Sequence, residues 1–204
     1  MLKKYYNKNK LEVGIDEAGR GPLFGRLYVG AVILPNEDFD TTDIKDSKKL
    51  SARKRLIVYD YIKENAIDYN VEYATAETID NSNILASVHQ TMHMAVHNLL
   101  VRPEFILVDG NSFPLYQDKI GSINHICIEG GDNIYTAIAA ASILAKVEHD
   151  KYIEKICDKY EELEIKYDLR NNKGYGTAKH INGIKKYGIS SWHRKTFGIC
   201  KSYC

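Results

Sequence analysis

Apolar and β-branched runs recur along the chain at Leu11 to Ile15, Leu27 to Leu34, Val71 to Ala76, Phe105 to Val108 and His125 to Ile128, each of strand length. Longer segments with helical spacing of apolar positions separate some of them: Leu50 to Asn65, Ile79 to Leu100 and Asn133 to Cys157, with another over Thr177 to Tyr187. The pattern predicts strand, strand, helix, strand, helix, strand, strand, helix and a helical end. The early strands are close enough in sequence to pair antiparallel, and the later ones are reached by helical crossovers. The expected class is therefore α/β, with a mixed five-stranded sheet flanked by helices.

The length of 204 residues and the 44% hydrophobic content suffice for one domain with a proper core, and no linker or repeat asks for two. The expectation is a single unit over 1–204, with a core over about 1–157 and a basic helical extension over about 158–204. No stretch approaches a membrane span and "MLKKYYNKNK" lacks the apolar segment of a secretory signal, so a cytoplasmic protein without membrane contact is expected. Cys127, Cys157, Cys200 and Cys204 include no CxxC pair, which argues for free thiols rather than zinc or disulfides.

Charge refines this picture. The formal net charge is +1, yet from Arg170 to Cys204 there are eight basic residues and no acidic one, leaving 20 basic against 27 acidic residues elsewhere. A charge run by itself is usually a solvated face. Here Tyr175, Tyr187, Trp192 and Phe197 interleave with the cations, which suits a surface that holds phosphates by charge and sugars or bases by stacking.

The acids carry the chemistry. Asp16 and Glu17 close the first strand in "GIDEAGRGPLFG", Asp109 closes another in "FILVDGN", and Asp132 precedes a helix in "GGDNIYTAIAAASILAKV". Taken singly, Asp132 reads as a helix N-cap and Asp109 as a turn residue. The Asp16–Glu17 pair is harder to dismiss. In an extended strand the two would face opposite ways, so both serve one centre only if the strand stops there and the backbone turns, which the glycines permit. Two like charges ~4 Å apart repel by ~4 kcal/mol at an effective dielectric of 20, so converging carboxylates need cations. An all-oxygen set favours Mg²⁺ or Mn²⁺, and two such ions can activate water and stabilise the leaving oxygen in a displacement at phosphorus.

The glycine loop does not match a nucleotide cradle. Phe24 stands where the dinucleotide fingerprint needs glycine, and Gly25 is followed by Arg26 and Leu27 rather than by Lys-Ser/Thr. What remains is exposed backbone at "GRG" with Arg20 able to pair with charge. "DSKKLS" (46–51) gathers Ser47, Lys48 and Lys49 before a helix, and Ser142 and Lys146 lie one helical turn apart. His89, His93 and His97 share one helix face, but no acid or cysteine completes a metal stripe there.

With these residues in hand, the chain resembles the ribonuclease HII (type 2 ribonuclease H) family over almost its whole length: "GIDEAGRGPLFG", "DSKKLS", "ILVDGN", "GDNIYTAIAAASILAKVEHD", "NKGYGTAKH" and "WHRKTF" occur in the family's order. The resemblance implies a ribonuclease H-like fold with a helical C-terminal extension. It implies endonucleolytic cleavage of RNA in RNA·DNA hybrids and at single ribonucleotides in duplex DNA, with 5′-phosphate and 3′-hydroxyl products. By position, Asp16, Glu17, Asp109 and Asp132 resemble the family's four metal-binding catalytic carboxylates. Gly19, Arg20 and Gly21 resemble the loop that meets the 2′-hydroxyl, and Tyr175 the tyrosine at the RNA-to-DNA junction. Phosphate contacts map onto Ser47, Lys48, Lys49, Ser142, Lys146, His180 and Arg194. The chain departs from the family in having Gly176 after the "KGY" tyrosine, where proline is usual, and "GISSW" before "HR". It has the "GRG" that the sister type, ribonuclease HIII, lacks.

A non-catalytic hybrid-binding module, another two-metal nuclease and a small-molecule phosphotransferase are the competing readings. The expected cofactor is Mg²⁺ or Mn²⁺, with two ions when substrate is bound, and the expected state is a monomer. A sliding clamp is a conceivable partner, but "FGICKSYC" is no convincing clamp-binding peptide.

Overall fold

The structure, a computed structural model, describes residues 2–35, 39–45 and 47–204. Its main sheet consists of β1 (Glu12–Ala18), β2 (Leu27–Ile33), β3 (Asp68–Ala74), β4 (Phe105–Asp109) and, after a small hairpin of β5 (Tyr116–Gln117) and β6 (Ser122–Ile123), β7 (His125–Ile128). The strand order is β3-β2-β1-β4-β7, with β1 antiparallel to β2 and parallel to β4. The expected mixed five-stranded sheet is thus found.

Helices cover both faces. On one side α3 (Ile84–His97), which follows the short α2 (Ala76–Asn81), buries Val88, Met92 and Val96 against Val13, Ile15 and Val29. On the other, α4 (Thr136–Lys159) lays its alanine run on the sheet, with α1 (Ala52–Asn65) outside it. A single helix expected over Ile79 to Leu100 is two helices. Asn83 adopts extended backbone and its side chain accepts from the Ala86 amide, so a new N-cap interrupts the run. The close fit of α4 depends on glycine: a Cβ on Gly14 would stand 2.2 Å from the Ala137 carbonyl carbon, and one on Gly30 would stand 2.4 Å from the Ala141 oxygen.

Beyond the sheet, α5 (Glu161–Tyr167), α6 (Leu169–Asn172) and α7 (Ala178–Tyr187) form a third cluster. Ile153, Cys157, Leu163, Tyr167, Leu169, Ile184 and Cys200 pack there around Phe24, which comes from the loop after β1. Fully burying a side chain of this size stabilises by about 1.5–3 kcal/mol, so Phe24 fastens that loop to the C-terminal segment. The extension is also held from the core side, because Asp80 of α2 accepts from the Lys195 and Thr196 amides at 2.8 and 2.9 Å.

A buried histidine pair organises the same region. His180 Nδ1 donates to the Tyr175 carbonyl at 2.9 Å, which leaves Nε2 to accept from His193 Nε2 at 3.0 Å, and His193 Nδ1 accepts from the Ser190 amide. Both rings are therefore neutral. Burial lowers the His180 pKa, and burial followed by the neighbouring His180 pulls His193 down to about 3. With folded-state proton affinity below the unfolded value of about 6.5, this contribution is complete above that pH and is lost as pH falls toward about 3. Urea midpoints should fall through that window by the equivalent of a few kcal/mol, and His193→Asn should flatten that fall.

Candidate active site

β1 and β4 stay paired from Glu12–Phe105 to Ile15–Val108, whereas β1 continues against β2 as far as Ala18–Tyr28. Asp16 and Glu17 therefore lie where β1 has left β4 but still pairs with β2, and Asp109 ends β4 beside them. This differs from the expectation that the strand must stop at Asp16 for both acids to serve one centre: β1 stays extended, yet Asp16 and Glu17 each feel the charge of Asp109 where β1 outruns β4. Its antiparallel partner carries it two residues further, and the turn comes at Gly19, whose φ of +89° suits glycine.

Asp16 points to the α4 side and is only 5% exposed. Its carboxylate accepts from the Glu17 amide at 2.7 Å and from the Ser142 hydroxyl. Ser142 Oγ is also 2.9 Å from Ser47 Oγ, and since Ser142 has one proton to give, Ser47 donates to Ser142. Ser47 and Ser142, expected at phosphate, are instead buried and form a relay that orients Asp16. Burial, then the charges of Glu17 and Asp109, push the Asp16 pKa well above the usual carboxylate range. Glu17 is raised by burial, against the pull of Arg20, whose Nη1 lies 3.5 Å from Glu17 Oε1.

Asp109 is aimed by backbone. Its Oδ1 accepts from the Gly131 amide at 2.7 Å, and Gly131 opens a 3₁₀ turn, Gly131–Asn133, that contains Asp132. Asp132 is 6% exposed and accepts from Asn133 Nδ2 at 2.8 Å. The N-cap of α4 is Tyr135, so Asp132 has no capping role there. Lys49 Nζ bonds to Asn133 Oδ1 and tethers the same turn. Asp16, Glu17 and Asp109 thus feel one another's charge at one end of the sheet, and Asp132 directly follows Gly131, whose amide holds Asp109.

Carboxylates in this condition fit a hard divalent cation, because they are desolvated, mutually repulsive and purely oxygen donors. Among the described residues no group of three or more His, Cys, Asp or Glu side chains stands so as to hold a metal ion by itself. Mg²⁺ is commonly held by one or two carboxylates, with waters and phosphate oxygens in the remaining positions.

The remaining candidates divide. Gly21 and Tyr175 face each other, since a Cβ on Gly21 would lie 3.4 Å from the tyrosine ring, and Tyr175 is 44% exposed. Arg20 and Lys48 are exposed as well, whereas Asp46 at the head of "DSKKLS" lies outside the described residues. Lys146 pairs with Asp150 at 2.7 Å, and Asp150 also receives Arg55 at 3.5 Å.

His180 and Arg194 depart from expectation. Both are fully buried, so neither side chain is presented at the surface where a phosphate would sit. His180 is occupied by Tyr175 and His193, and Arg194 by backbone carbonyls. The basic end is also less free than its composition suggests: Arg170 pairs with Glu154 and Asp158, Lys173 with Glu154, and Lys179 with Asp168. These acids precede position 170, so the one-sided count concealed the pairing.

On the helix face shared by His89, His93 and His97, His89 and His93 bond to the Ser112 and Pro114 carbonyls and brace that loop. The residues that sequence reasoning missed are supports: Asn133, Asp150 and His193. Asn133 and Asp150 lie in "GDNIYTAIAAASILAKVEHD" and His193 in "WHRKTF", but nothing in those motifs marks them as inward-facing supports.

The chain has the ribonuclease H-like fold: it aligns with ribonuclease H2 from Pyrococcus horikoshii OT3 at a TM-score of 0.78 and 25% identity, covering 94% of this chain and 96% of that one. The ribonuclease HII partner in the PCNA complex from Archaeoglobus fulgidus aligns at 0.75 and 25% identity, over 92% and 95% of the two chains. The sequence model described as Ribonuclease HII matches residues 13–200, and the ribonuclease HII of Parabacteroides distasonis is 44% identical over 98% of this chain and 96% of its own length. The chain belongs to the ribonuclease HII family and is thereby a hydrolytic nuclease. No helix among the described residues is long and apolar enough to cross a membrane.

Proposed function

We propose that this chain is an endonuclease that hydrolyses the RNA strand of RNA·DNA hybrids and incises duplex DNA at single embedded ribonucleotides, leaving 5′-phosphate and 3′-hydroxyl ends. The observation that carries this reading is the electrostatic coupling of Asp16 with Glu17 and Asp109 in a site bordered by the Gly19–Gly21 loop and Tyr175. Asp16 and Asp109 would mainly hold one Mg²⁺ or Mn²⁺, and Glu17 or Asp132 with the scissile phosphate a second; such ions supply neutralisation of charge at that phosphate and a lowered pKa for water.

The chain's own groups then position the substrate. The Ser47–Ser142 relay keeps Asp16 oriented, and the Gly131 amide keeps Asp109 oriented, so neither carboxylate has to find its rotamer during reaction. The exposed backbone at Arg20 and Gly21 offers donors to a ribose 2′-hydroxyl, the group by which RNA differs from DNA. Tyr175 offers a ring face opposite Gly21 for stacking on the next sugar or base. Lys48, exposed and electrostatically felt by Tyr175, suits the backbone phosphates. The protein would act as a monomer in the cytoplasm.

Purified protein in Mg²⁺ should nick a duplex with one ribonucleotide at that residue and leave the all-DNA duplex of the same sequence intact. Equal cutting of both duplexes would assign it to a general two-metal nuclease. Tight binding of the ribonucleotide duplex without cleavage would make it a binding module.

A further inference from the structure

Arg194 is a buried cation for which the site described above has no direct use. It is 0% exposed, and its guanidinium makes three hydrogen bonds, all to carbonyls of the loop after β1: Nη2 to Gly19 at 2.6 Å, Nη1 to Arg20 at 3.0 Å and Nε to Gly25 at 3.0 Å. Its backbone joins the same loop, with its amide donating to Leu23 and the Gly25 amide donating to Trp192, both at 2.8 Å. Asp80, an acid whose charge it feels, is itself occupied by the Lys195 and Thr196 amides. The cation is therefore devoted to the loop backbone, and a planar fork suits three carbonyls as a single ammonium would not.

A planar trans peptide has its C=O and N–H on opposite sides. Drawing the Gly19 and Arg20 carbonyls inward onto Arg194 consequently turns the next two amides, those of Arg20 and Gly21, outward. Both residues are exposed, and neither amide has a hydrogen-bond partner among the described residues. A positive charge on the carbonyl side also polarises each peptide and makes its N–H a stronger donor. Gly21 lies beside the Tyr175 ring, so the second amide opens into the slot between them.

We propose that Arg194 is a positioning residue that sets selectivity for ribose without touching the substrate: it presents the Arg20 and Gly21 amides as a fixed pair of donors for a sugar hydroxyl. The inference rests on the ribonucleotide-directed reading of the site. It replaces the direct phosphate contact expected for Arg194 from sequence.

The test compares wild type, Arg194→Lys and Arg194→Gln, each checked for folding by circular dichroism melts. Affinity is measured for a duplex with one ribonucleotide and for its all-DNA counterpart, with Ca²⁺ in place of Mg²⁺, at several salt concentrations. The preference for the ribonucleotide duplex should fall by about tenfold or more in Arg194→Gln and by less in Arg194→Lys, with all-DNA affinity within about twofold of wild type. An unchanged preference in either folded variant overturns the inference. Parallel weakening on both duplexes, with a salt slope smaller by about one, would restore a direct phosphate contact and also overturn it.

In the wild type, the Arg20 and Gly21 amide resonances should shift with the ribonucleotide duplex and stay put with all-DNA. Unresponsive amides overturn the inference whether or not the variants fold. A wild type with no ribonucleotide preference would instead defeat the functional reading beneath it.

Discussion

Asp16→Asn is expected to reduce cleavage of a single-ribonucleotide duplex by at least ~10³-fold, about 4 kcal/mol of barrier, while raising the melting temperature of the metal-free protein. The two effects have one cause. Asp16 is buried beside Glu17 and Asp109, and its pKa is raised well above the ordinary value, so its charged form is disfavoured by the fold. A raised carboxylate pKa means that the native state holds its proton longer than the unfolded chain. The stability linked to it is therefore present at low pH and is lost as pH rises above about 4 through the folded-state pKa.

At pH 7 asparagine removes that cost and keeps the side-chain shape, so the variant should melt a few degrees higher, an advantage that vanishes below about pH 4. Mg²⁺ should raise the melting temperature of the wild type and much less that of the variant, since a ligand stabilises only the fold that binds it. Calorimetric melts over pH, with and without Mg²⁺, check all three statements.

Gly14→Val is expected to be the most damaging substitution for the fold itself. Any Cβ at position 14 would meet the Ala137 carbonyl carbon at 2.2 Å and the Ile138 amide nitrogen at 2.4 Å, and helix backbone has no rotamer by which to retreat. The helix would have to lift from the sheet, with a loss of more than ~4 kcal/mol, beyond ordinary overpacking, and a melting temperature lower by about 8–16 °C. Since α4 carries Ser142, the displacement also unhooks the relay to Asp16, so residual folded protein should cleave poorly. Differential scanning calorimetry and a single-turnover nicking assay measure the two losses.

Much of this arrangement is legible in the chain, for reasons that differ by element. β2 and β4 read clearly because their apolar runs are buried in the sheet. β3 begins at Asp68, three residues before the apolar run at Val71, because pairing of Ile33 with Asp68 imposes strand geometry on a polar start. β1 runs past Asp16 for the same reason, a partner strand overriding the local signal there. The four acids were recoverable because strand ends and glycines mark them.

Ser47, Ser142, His180 and Arg194 were recognisable as polar residues near the site, but not as buried ones. Whether a serine or arginine faces phosphate or backbone depends on which elements cross above it. For Arg194 that is the loop at Gly19–Gly25, more than 160 positions away in sequence.

The central claim is that Asp16, Glu17, Asp109 and Asp132 share divalent ions beside a slot for ribose. A crystal structure with Mn²⁺ and an uncleavable ribonucleotide duplex, read by anomalous scattering, tests it most directly. The account predicts one peak at Asp16 and Asp109 and a second at Glu17 or Asp132, with the ribose against the Arg20 and Gly21 amides. Manganese bound elsewhere, or a duplex docked away from these acids, would contradict it.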